Sequence, residues 1–435
     1  MLSKQIYNEK LAWLICGMAA LFYCYAYFLR VSPSVMMTQL IDRFHIDAAS
    51  FGVLSTFYYF AYAPMQLPVG ILLDKYGARL MMFLACLVCV VGVLIFIVAD
   101  NLFIAATGRF LIGLGSAFSY IAVLKIASNW LPSNRFATAA GLTTSFGMLA
   151  AIFSDNYLTH IVDSIGYQNA LYSALVAGVI LCISIGLIIR DHPTKSQNNA
   201  FSTHAPTKRI KQGIMMMLKS RQMLLIGIIG ALLYLPASVF LDLWGIPYFK
   251  SVYQLSPSQA ASVISMVFIG WIVSSPLIGM LSDKLKRRRL PLTTASILAA
   301  LTISLVFLNH SLSIPTLYIL MLLFGIFCGS HPLCFSLSKE TNPAELSATA
   351  TAVTNFFIML GGMIFQPLVG LLIEWHWNGA MQQHIPLYSA SDFSFALTII
   401  PIALIIASGL SLWVKETASA APNFFTILPV NRVIT

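Results

Sequence analysis

The stretch Gly70-Ile71-Leu72-Leu73-Asp74-Lys75-Tyr76-Gly77-Ala78-Arg79 returns 209 positions later as Gly279-Met280-Leu281-Ser282-Asp283-Lys284-Leu285-Lys286-Arg287-Arg288. Each copy closes a long apolar run, and the offset is close to half of the 435-residue chain. A second pair keeps nearly the same displacement. Ala137-Thr138-Ala139-Ala140-Gly141-Leu142-Thr143-Thr144 aligns with Ala348-Thr349-Ala350-Thr351-Ala352-Val353-Thr354-Asn355 at an offset of 211, and Met148-Leu149 aligns with Met359-Leu360. Two independent matches at nearly the same displacement imply a duplicated chain.

Composition says what is duplicated. With 58% apolar and only 9% charged residues, the chain is far from the roughly one-quarter charged content of soluble domains. The apolar residues gather in about twelve runs, at 11–38, 50–73, 80–99, 103–129, 136–158, 169–190, 222–249, 257–282, 289–308, 313–337, 346–373 and 392–415. Each is long enough to cross about 30 Å of hydrocarbon as a helix. The loops set the orientation. With the N-terminus in the cytoplasm, 20 of the 25 basic residues fall on that side, against Arg43 and Lys250 outside, as the positive-inside bias requires. The net charge of +10 is thereby mostly an orientation signal. Nucleic-acid binding is excluded as a reading, since no basic solvent-facing surface is visible. The N-terminus reads as a first membrane helix without a cleavage site. All seven cysteines lie in apolar runs, so Cys86-x-x-Cys89 reads as buried thiols.

The polar interval 191–221, with Pro193, Pro206 and basic residues, reads as a cytoplasmic linker ending in a short surface helix. It separates a first bundle at 1–190 from a second at 222–415, followed by a cytoplasmic tail at 416–435. The expected fold class is an all-α membrane protein of twelve transmembrane helices in two pseudo-symmetric six-helix bundles. Duplicated halves of this kind place a site near the midplane between them.

Over essentially its whole length the chain resembles the major facilitator superfamily of transporters. The resemblance is carried by Gly70–Arg79, its copy Gly279–Arg288, and Arg109-Phe110-Leu111-Ile112-Gly113-Leu114-Gly115, which is similar to the family's Arg-x-x-x-Gly-x-Gly pattern. It implies alternating access, a small-molecule substrate, no cofactor and no enzymatic activity. The Gly-Pro pair typical of the family's antiporters is missing from the fifth run, which argues against drug–proton exchange. Within the motif, Gly70 and Gly77 permit a tight turn and close helix approach. Asp74, expected near a helix N-terminus, suits the positive end of a dipole. Lys75 and Arg79 are expected to pair across the bundle with acidic groups or helix C-termini. In the second copy, Asp283 and Lys284 persist beside Gly279, but Lys286 replaces Gly77, so a looser turn is expected.

Charged groups at bilayer depth are costly and usually functional. On the first run, Tyr23, Arg30, Ser34 and Met37 share a helix face, and on the fourth, Arg109, Gly113, Ser116 and Tyr120 do so. Two arginines with tyrosine and serine suit a carboxylate or phosphate. Arginines at these helices are similar to the superfamily's organic-anion branch, although that branch often carries a glutamate where Ser116 stands. Lys125, about 24 Å beyond Arg109 along a helix, is expected to snorkel to the interface. Asp242 precedes Leu243-Trp244-Gly245-Ile246-Pro247 and follows Pro236, so the helix should break there. Asp242 reads as the partner of Arg30 or as a protonation site. Asp155 and Glu374 are expected to meet water at the outer surface. His331 either titrates or is hydrogen-bonded structure. Tyr59, Tyr62 and Trp271, near the predicted midplane, lean towards a cavity lining.

The sequence thus reads as a secondary or facilitative transporter, acting as a monomer in a bacterial inner membrane, for a small organic anion or zwitterion such as a carboxylate, amino acid or short peptide, with protons as a possible second cargo. A drug or siderophore exporter is the alternative within transport, and a non-transporting receptor or sensor the alternative outside it. There is no Ser/His/Asp set on one face, no metal-ligand spacing and no phosphate loop.

Overall fold

A computed structural model describes residues 9–192, 207–343, 346–382 and 385–416. Residues 193–206 of the expected linker and the tail beyond Glu416 lie outside the described residues. The first half runs through α1 (Glu9–Val31), α2 (Met37–Phe44), α3 (Ala48–Met65), α4 (Val69–Tyr76), α5 (Ala78–Val98), α6 (Leu102–Ser116), α7 (Ser119–Trp130), α8 (Ser133–Ile165) and α9 (Tyr167–Ile188). After α10 (Thr207–Lys219) come α11 (Arg221–Leu235), α12 (Gly245–Val252), α13 (Pro257–Leu285), α14 (Arg289–Leu308), α15 (Ile314–Cys328), α16 (Leu333–Glu340), α17 (Ser347–His376), α18 (Ala390–Leu397) and α19 (Ile399–Ser411). Between α17 and α18, β1 (Met381–Gln382) and β2 (Ile385–Pro386) form a short antiparallel hairpin.

Among the described residues, ten helical segments are long and apolar enough to cross a membrane. The second and fifth apolar runs fold as α3, of 18 residues, and α8, of 33 residues. The protein is an integral, multi-pass membrane protein. Exposed apolar side chains such as Leu187, Leu308 and Ile405 are what a lipid-facing surface requires.

Local chemistry sets the helix ends. Asp47 accepts from the Ser50 amide at the start of α3, Asn101 from Ile104 at the start of α6, and Ser256 with Gln259 forms a capping box on α13. Such caps satisfy amides that have no partner within the helix. Gly77 ends α4 at φ +83°, and an added Cβ would stand 2.8 Å from Asp191 Oδ2. Close helix crossings depend on missing side chains. A Cβ on Gly113 would lie 2.0 Å from the Tyr58 carbonyl oxygen, and one on Gly325 2.1 Å from that of Val267, so α6 meets α3, and α15 meets α13, backbone to backbone.

Several runs that the sequence reads as single helices are interrupted. After α1 the chain makes a short 3-10 turn at Ser32–Ser34, where Ser32 Oγ and Ser34 Oγ donate to the Leu29 and Val31 carbonyls. The fourth run breaks at Ala117-Phe118, with Ser119 Oγ donating to the Ser116 carbonyl at 2.7 Å. The tenth breaks around His331, between α15 and α16. The expected break before Asp242 takes a specific form: Pro236–Trp244 is a nine-residue π-helical segment, buried throughout. Proline lacks the N–H that would continue the α-ladder, and π segments of this kind cluster at functional sites.

The two halves meet along α3 and α17. Asn355 Nδ2 donates to Gln66 Oε1 at 2.8 Å, and a Cβ on Gly370 would lie 2.4 Å from the Ala48 carbonyl oxygen. At the end of the bundle away from the basic loops, the Tyr388 hydroxyl accepts from the Ala48 amide at 2.8 Å and donates to Glu374 Oε2 at 2.8 Å. Glu374 therefore meets a tyrosine as well as solvent. Burial, and the bond to Glu374, push the Tyr388 hydroxyl pKa above its ordinary value. The helix α10 is not a free surface helix: its Met217 is buried with Met223, Ala350 and Val353, and Leu67 from the first half packs against them.

Candidate substrate site

Arg30 lies in the last turn of α1, 6% exposed, where the apolar helices around it admit few partners. Its Nε stands 2.7 Å from Asp242 Oδ2, and its Nη2 donates to the Tyr59 hydroxyl at 2.7 Å and the Tyr234 hydroxyl at 3.2 Å. Tyr59 completes a triangle by donating to Asp242 Oδ2 at 2.7 Å. The rings of Tyr27, Tyr59 and Tyr234 lie 5.2, 5.2 and 5.6 Å from the guanidinium carbon, within the range of cation–π attraction. Asp242 is 1% exposed, and among the described residues its Oδ1 has no partner. The result is one cation shared by α1, α3, α11 and the π segment, with one carboxylate oxygen unused.

Aromatic rings surround this centre. Tyr23 packs edge-on to Tyr27 and lies 5.2 Å from Tyr120, whose hydroxyl is 3.3 Å from Thr144 Oγ1. Tyr62 stacks on Tyr58 at 5.5 Å. Trp271 packs edge-on to Tyr234, and His331 lies 4.8 Å from that same ring. The His331 Nε2 is buried without a partner among the described residues.

Arg109 sits differently. Its Nη1 donates to the Leu29 carbonyl at 2.8 Å and its Nη2 to the Arg30 carbonyl at 3.4 Å, with the Tyr58 ring 5.3 Å away. Those carbonyls belong to the last turn of α1, where helical partners run out and a cation is favoured. Arg109 thus holds the backbone that carries Arg30, and its Nε has no partner among the described residues. Ser116 lies behind the ring of Tyr58, within reach of its hydroxyl and 3.8 Å from Cys89 Sγ.

At the basic end the repeated motif forms two networks. Asp74 pairs with Lys125 at 2.6 Å, so Lys125 meets a carboxylate at this end of the bundle. Asp74 lies in the last turn of α4, not at a helix N-terminus. That role falls to Asp191, whose Oδ1 accepts from the Arg79 amide at 2.8 Å, at the start of α5. Arg79 Nη2 donates to the Gly186 carbonyl at 2.6 Å, and Lys75 Nζ lies over the Tyr76 ring. In the second copy Lys286 adopts the left-handed conformation, φ +51°, so the turn that the sequence predicts to be looser forms with a non-glycine. Arg288 then joins Asp283 and Glu340, each at 2.6 Å, while its amide donates to Glu416 Oε1 at 2.6 Å. Burial acts against the Arg288 charge, but Glu340 and Asp283 outweigh it and hold its pKa above the ordinary arginine value. Gly70 and Gly279 have no neighbour that a Cβ would meet within 4 Å.

Asp155 departs most from the sequence expectation. It is 0% exposed, not at a watery surface, and neither carboxylate oxygen has a partner among the described residues. Tyr234 and Asp191 were not singled out by the sequence. Tyr234 carries a signal in hindsight, a hydroxyl-bearing ring eight residues before Asp242. Asp191 carries none.

Comparison with known proteins sets this geometry in a family. The chain is 22% identical over 389 residues to the probable sulfoacetate transporter of Cupriavidus necator, covering 84% of this chain and 88% of that one. It is 23% identical over 379 residues to the probable galactarate/D-glucarate transporter of Escherichia coli, covering 79% and 84%. A lysosomal dipeptide transporter of Danio rerio is 24% identical over 275 residues, covering 60% and 59%. Among solved structures, the inward-facing, unoccupied bacterial homolog of the human lysosomal transporter Spinster superposes with a TM-score of 0.74 at 15% identity, covering 95% of this chain and 100% of that one. The Major Facilitator Superfamily profile matches residues 17–366, which takes in the opening motif, Arg30, Arg109, Asp242 and His331, and so the chain belongs to that superfamily of membrane transporters.

Proposed function

We propose that this protein is a secondary or facilitative transporter for a small organic anion or zwitterion, moved by alternating access around Arg30. The observation that carries the reading is the buried Arg30–Asp242 pair, 2.7 Å apart and engaged through only one carboxylate oxygen. A buried charge cannot stand alone, so a substrate carboxylate that takes the Arg30 guanidinium must leave Asp242 to protonate or to bind a substrate ammonium. The first outcome is anion–proton symport; the second is recognition of an amino acid or short peptide. Tyr59, Tyr234, Tyr23, Tyr62, Tyr120, Trp271 and His331 line the path, Arg109 and Ser116 support it, and Gly70, Asp74, Lys75, Gly77 and Arg79, with Gly279, Asp283 and Lys284, form the gate. The relatives named for sulfoacetate, galactarate/D-glucarate and dipeptide transport support this substrate class.

The same reading takes the chain as twelve spans in two pseudo-symmetric halves, 1–190 and 222–415, joined by the linker 191–221 and followed by the tail 416–435. It works as a monomer in a bacterial inner membrane with both termini in the cytoplasm. The aromatic shell also favours a second reading, export of a hydrophobic drug or siderophore.

Uptake of radiolabelled D-glucarate, sulfoacetate and glycylglycine into proteoliposomes tests both. Uptake of at least one of them, lost in Arg30→Ala, is the expected result. Uptake that survives Arg30→Ala unchanged overturns the anion site, and transport of a hydrophobic cation alone favours the exporter.

A further inference from the structure

The long helix α8 packs on α1 of its own half and on α13 of the other. Asp155 lies within it, 0% exposed, and among the described residues neither of its carboxylate oxygens has a hydrogen-bond partner. Its neighbours are engaged elsewhere. Ser154 Oγ donates to the Phe28 carbonyl at 3.3 Å, and Thr159 Oγ1 donates to the Asp155 backbone carbonyl at 2.6 Å. Asn156 Nδ2 donates to the Ile152 carbonyl at 2.8 Å and to Ser265 Oγ at 3.0 Å.

The surrounding charges do not supply a partner either. On α1, Arg30 is bound to Asp242, Tyr59 and Tyr234, and the other titratable groups are Cys16, Cys24, Tyr23, Tyr25 and Tyr27, with Glu9 and Lys10 at the far end. On α7 they are Tyr120 and Lys125, the latter paired with Asp74. On α9 they are Tyr167, Tyr172 and Cys182, and on α13 only Asp283 and Lys284, in its last turn. The 3-10 turn Ser32–Ser34 has none, and α8 itself adds Arg135, Tyr157, His160 and Asp163. Asp242, the other buried acid, is already paired with Arg30.

A carboxylate buried without donor or cation takes up a proton in preference to standing ionised. We infer that Asp155 holds a proton in this conformation and is a second proton-binding site of the transport cycle, beside the Arg30–Asp242 pair. This rests on the transport reading above and deepens it by naming where the coupled proton is carried. Asp155 is ten residues from the end of α8 at Ile165, on the order of 15 Å below that end of the bundle. Parting α8 from α1 and α13 there admits water. A hydronium ion then delivers its proton to one Oδ, forming the O–H bond and leaving water, and discharge is the reverse step. Closure buries the neutral acid. A metal cation is a poor occupant, because hard cations need several converging oxygen ligands and, among the described residues, no group of three or more His, Cys, Asp or Glu side chains could hold one.

The test is infrared difference spectroscopy on the purified full-length protein in sodium-free buffer near neutral pH. The wild type should show a carboxylic-acid C=O stretch that shifts on isotope labelling of aspartate carboxyls, is lost in Asp155→Asn, and persists in Asp242→Asn. Asparagine matches the neutral acid in shape, so Asp155→Asn should melt at an unchanged temperature. The wild-type band and its isotope shift are read without any variant. Absence of the band in the wild type, its loss in Asp242→Asn alone, or its disappearance on adding sodium each overturns the inference. In proteoliposomes, Asp155→Asn should keep counterflow of D-glucarate, sulfoacetate or glycylglycine but lose accumulation driven by an acidic exterior by about tenfold; full accumulation by that variant also overturns it. If the wild type moves none of the three, the substrate reading fails while the infrared band still decides Asp155.

Discussion

Arg30 and Asp242 lie 212 residues apart in the chain and 2.7 Å apart in space, each almost wholly buried. α1 begins at Glu9 and α11 at Arg221, so the two charges stand at the same distance from the starts of their helices, one in each half of the chain. Whatever separates the halves at this level separates a cation from its anion.

Removing one member should therefore cost more than removing both. Arg30→Ala leaves Asp242 buried and unpaired and should destabilise by about 3–5 kcal/mol. The double variant Arg30→Ala/Asp242→Ala should be milder than the worse single one. Denaturant unfolding in detergent of the singles and the double measures this, and strict additivity would refute the coupling.

The Asp74–Lys125 pair is a weaker bond, with side chains 40% and 31% exposed. Lys125→Ala should change stability by no more than about 1 kcal/mol, yet slow transport if the pair belongs to the gate. Restoration of transport by the swap Asp74→Lys/Lys125→Asp checks this; a swap no better than either single variant would show that the pair is only structural.

Gly77 and Gly70 belong to one motif but answer to different physics. Gly77→Ala meets φ +83° and the Asp191 carboxylate at 2.8 Å, and should destabilise by about 1–2 kcal/mol or more. Gly70→Ala has open space and lies in a helix, where alanine is favoured by about 1 kcal/mol. Melting temperatures should move in opposite directions.

Arg109→Lys keeps the charge but not the two-pronged donor. With Leu29 and Arg30 carbonyls bound at 2.8 and 3.4 Å, and charged hydrogen bonds contributing about 1.5–3 kcal/mol, loss of the fork should loosen the end of α1. Hydrogen exchange at residues 29–31 should accelerate in Arg109→Lys and more so in Arg109→Ala, and unchanged exchange would remove the anchoring role.

Tyr388 offers a pH test. Its folded pKa is raised by burial and by Glu374, so its contribution is fully present below the ordinary tyrosine value of about 10 and declines only as pH rises beyond it. Protection of the Ala48 amide should be flat across neutral pH in the wild type and fall about tenfold in Tyr388→Phe. A wild-type loss below pH ~9 would contradict the linkage.

Much of this was legible in the sequence because it is local or periodic. The apolar runs, the duplicated motif, the break before Asp242 and the candidate pair Arg30 and Asp242 follow from composition, spacing and Pro236. What was not legible depends on which helix lies beside which. Lys125 carries no mark of Asp74, 51 positions earlier, and the expected snorkelling followed from depth alone. Lys286 was expected to loosen its turn because glycine preference is a steric rule, whereas a lysine in the left-handed region meets it at a modest cost. Asp155 was placed at the surface by its position near a run end, and only the neighbours of α8 reveal that it is sealed.

The π-helical segment Pro236–Trp244 has a consequence for timing. A π turn holds more residues than an α turn, so the segment is under-wound and stores a surplus of register in an otherwise α-helical rod. Letting out one residue turns everything beyond it by about 100°, enough to swing Asp242 off Arg30 without moving α11. A carrier built this way can register the loss of its central ion pair as a change of helical phase, and pass it along α12 as rotation.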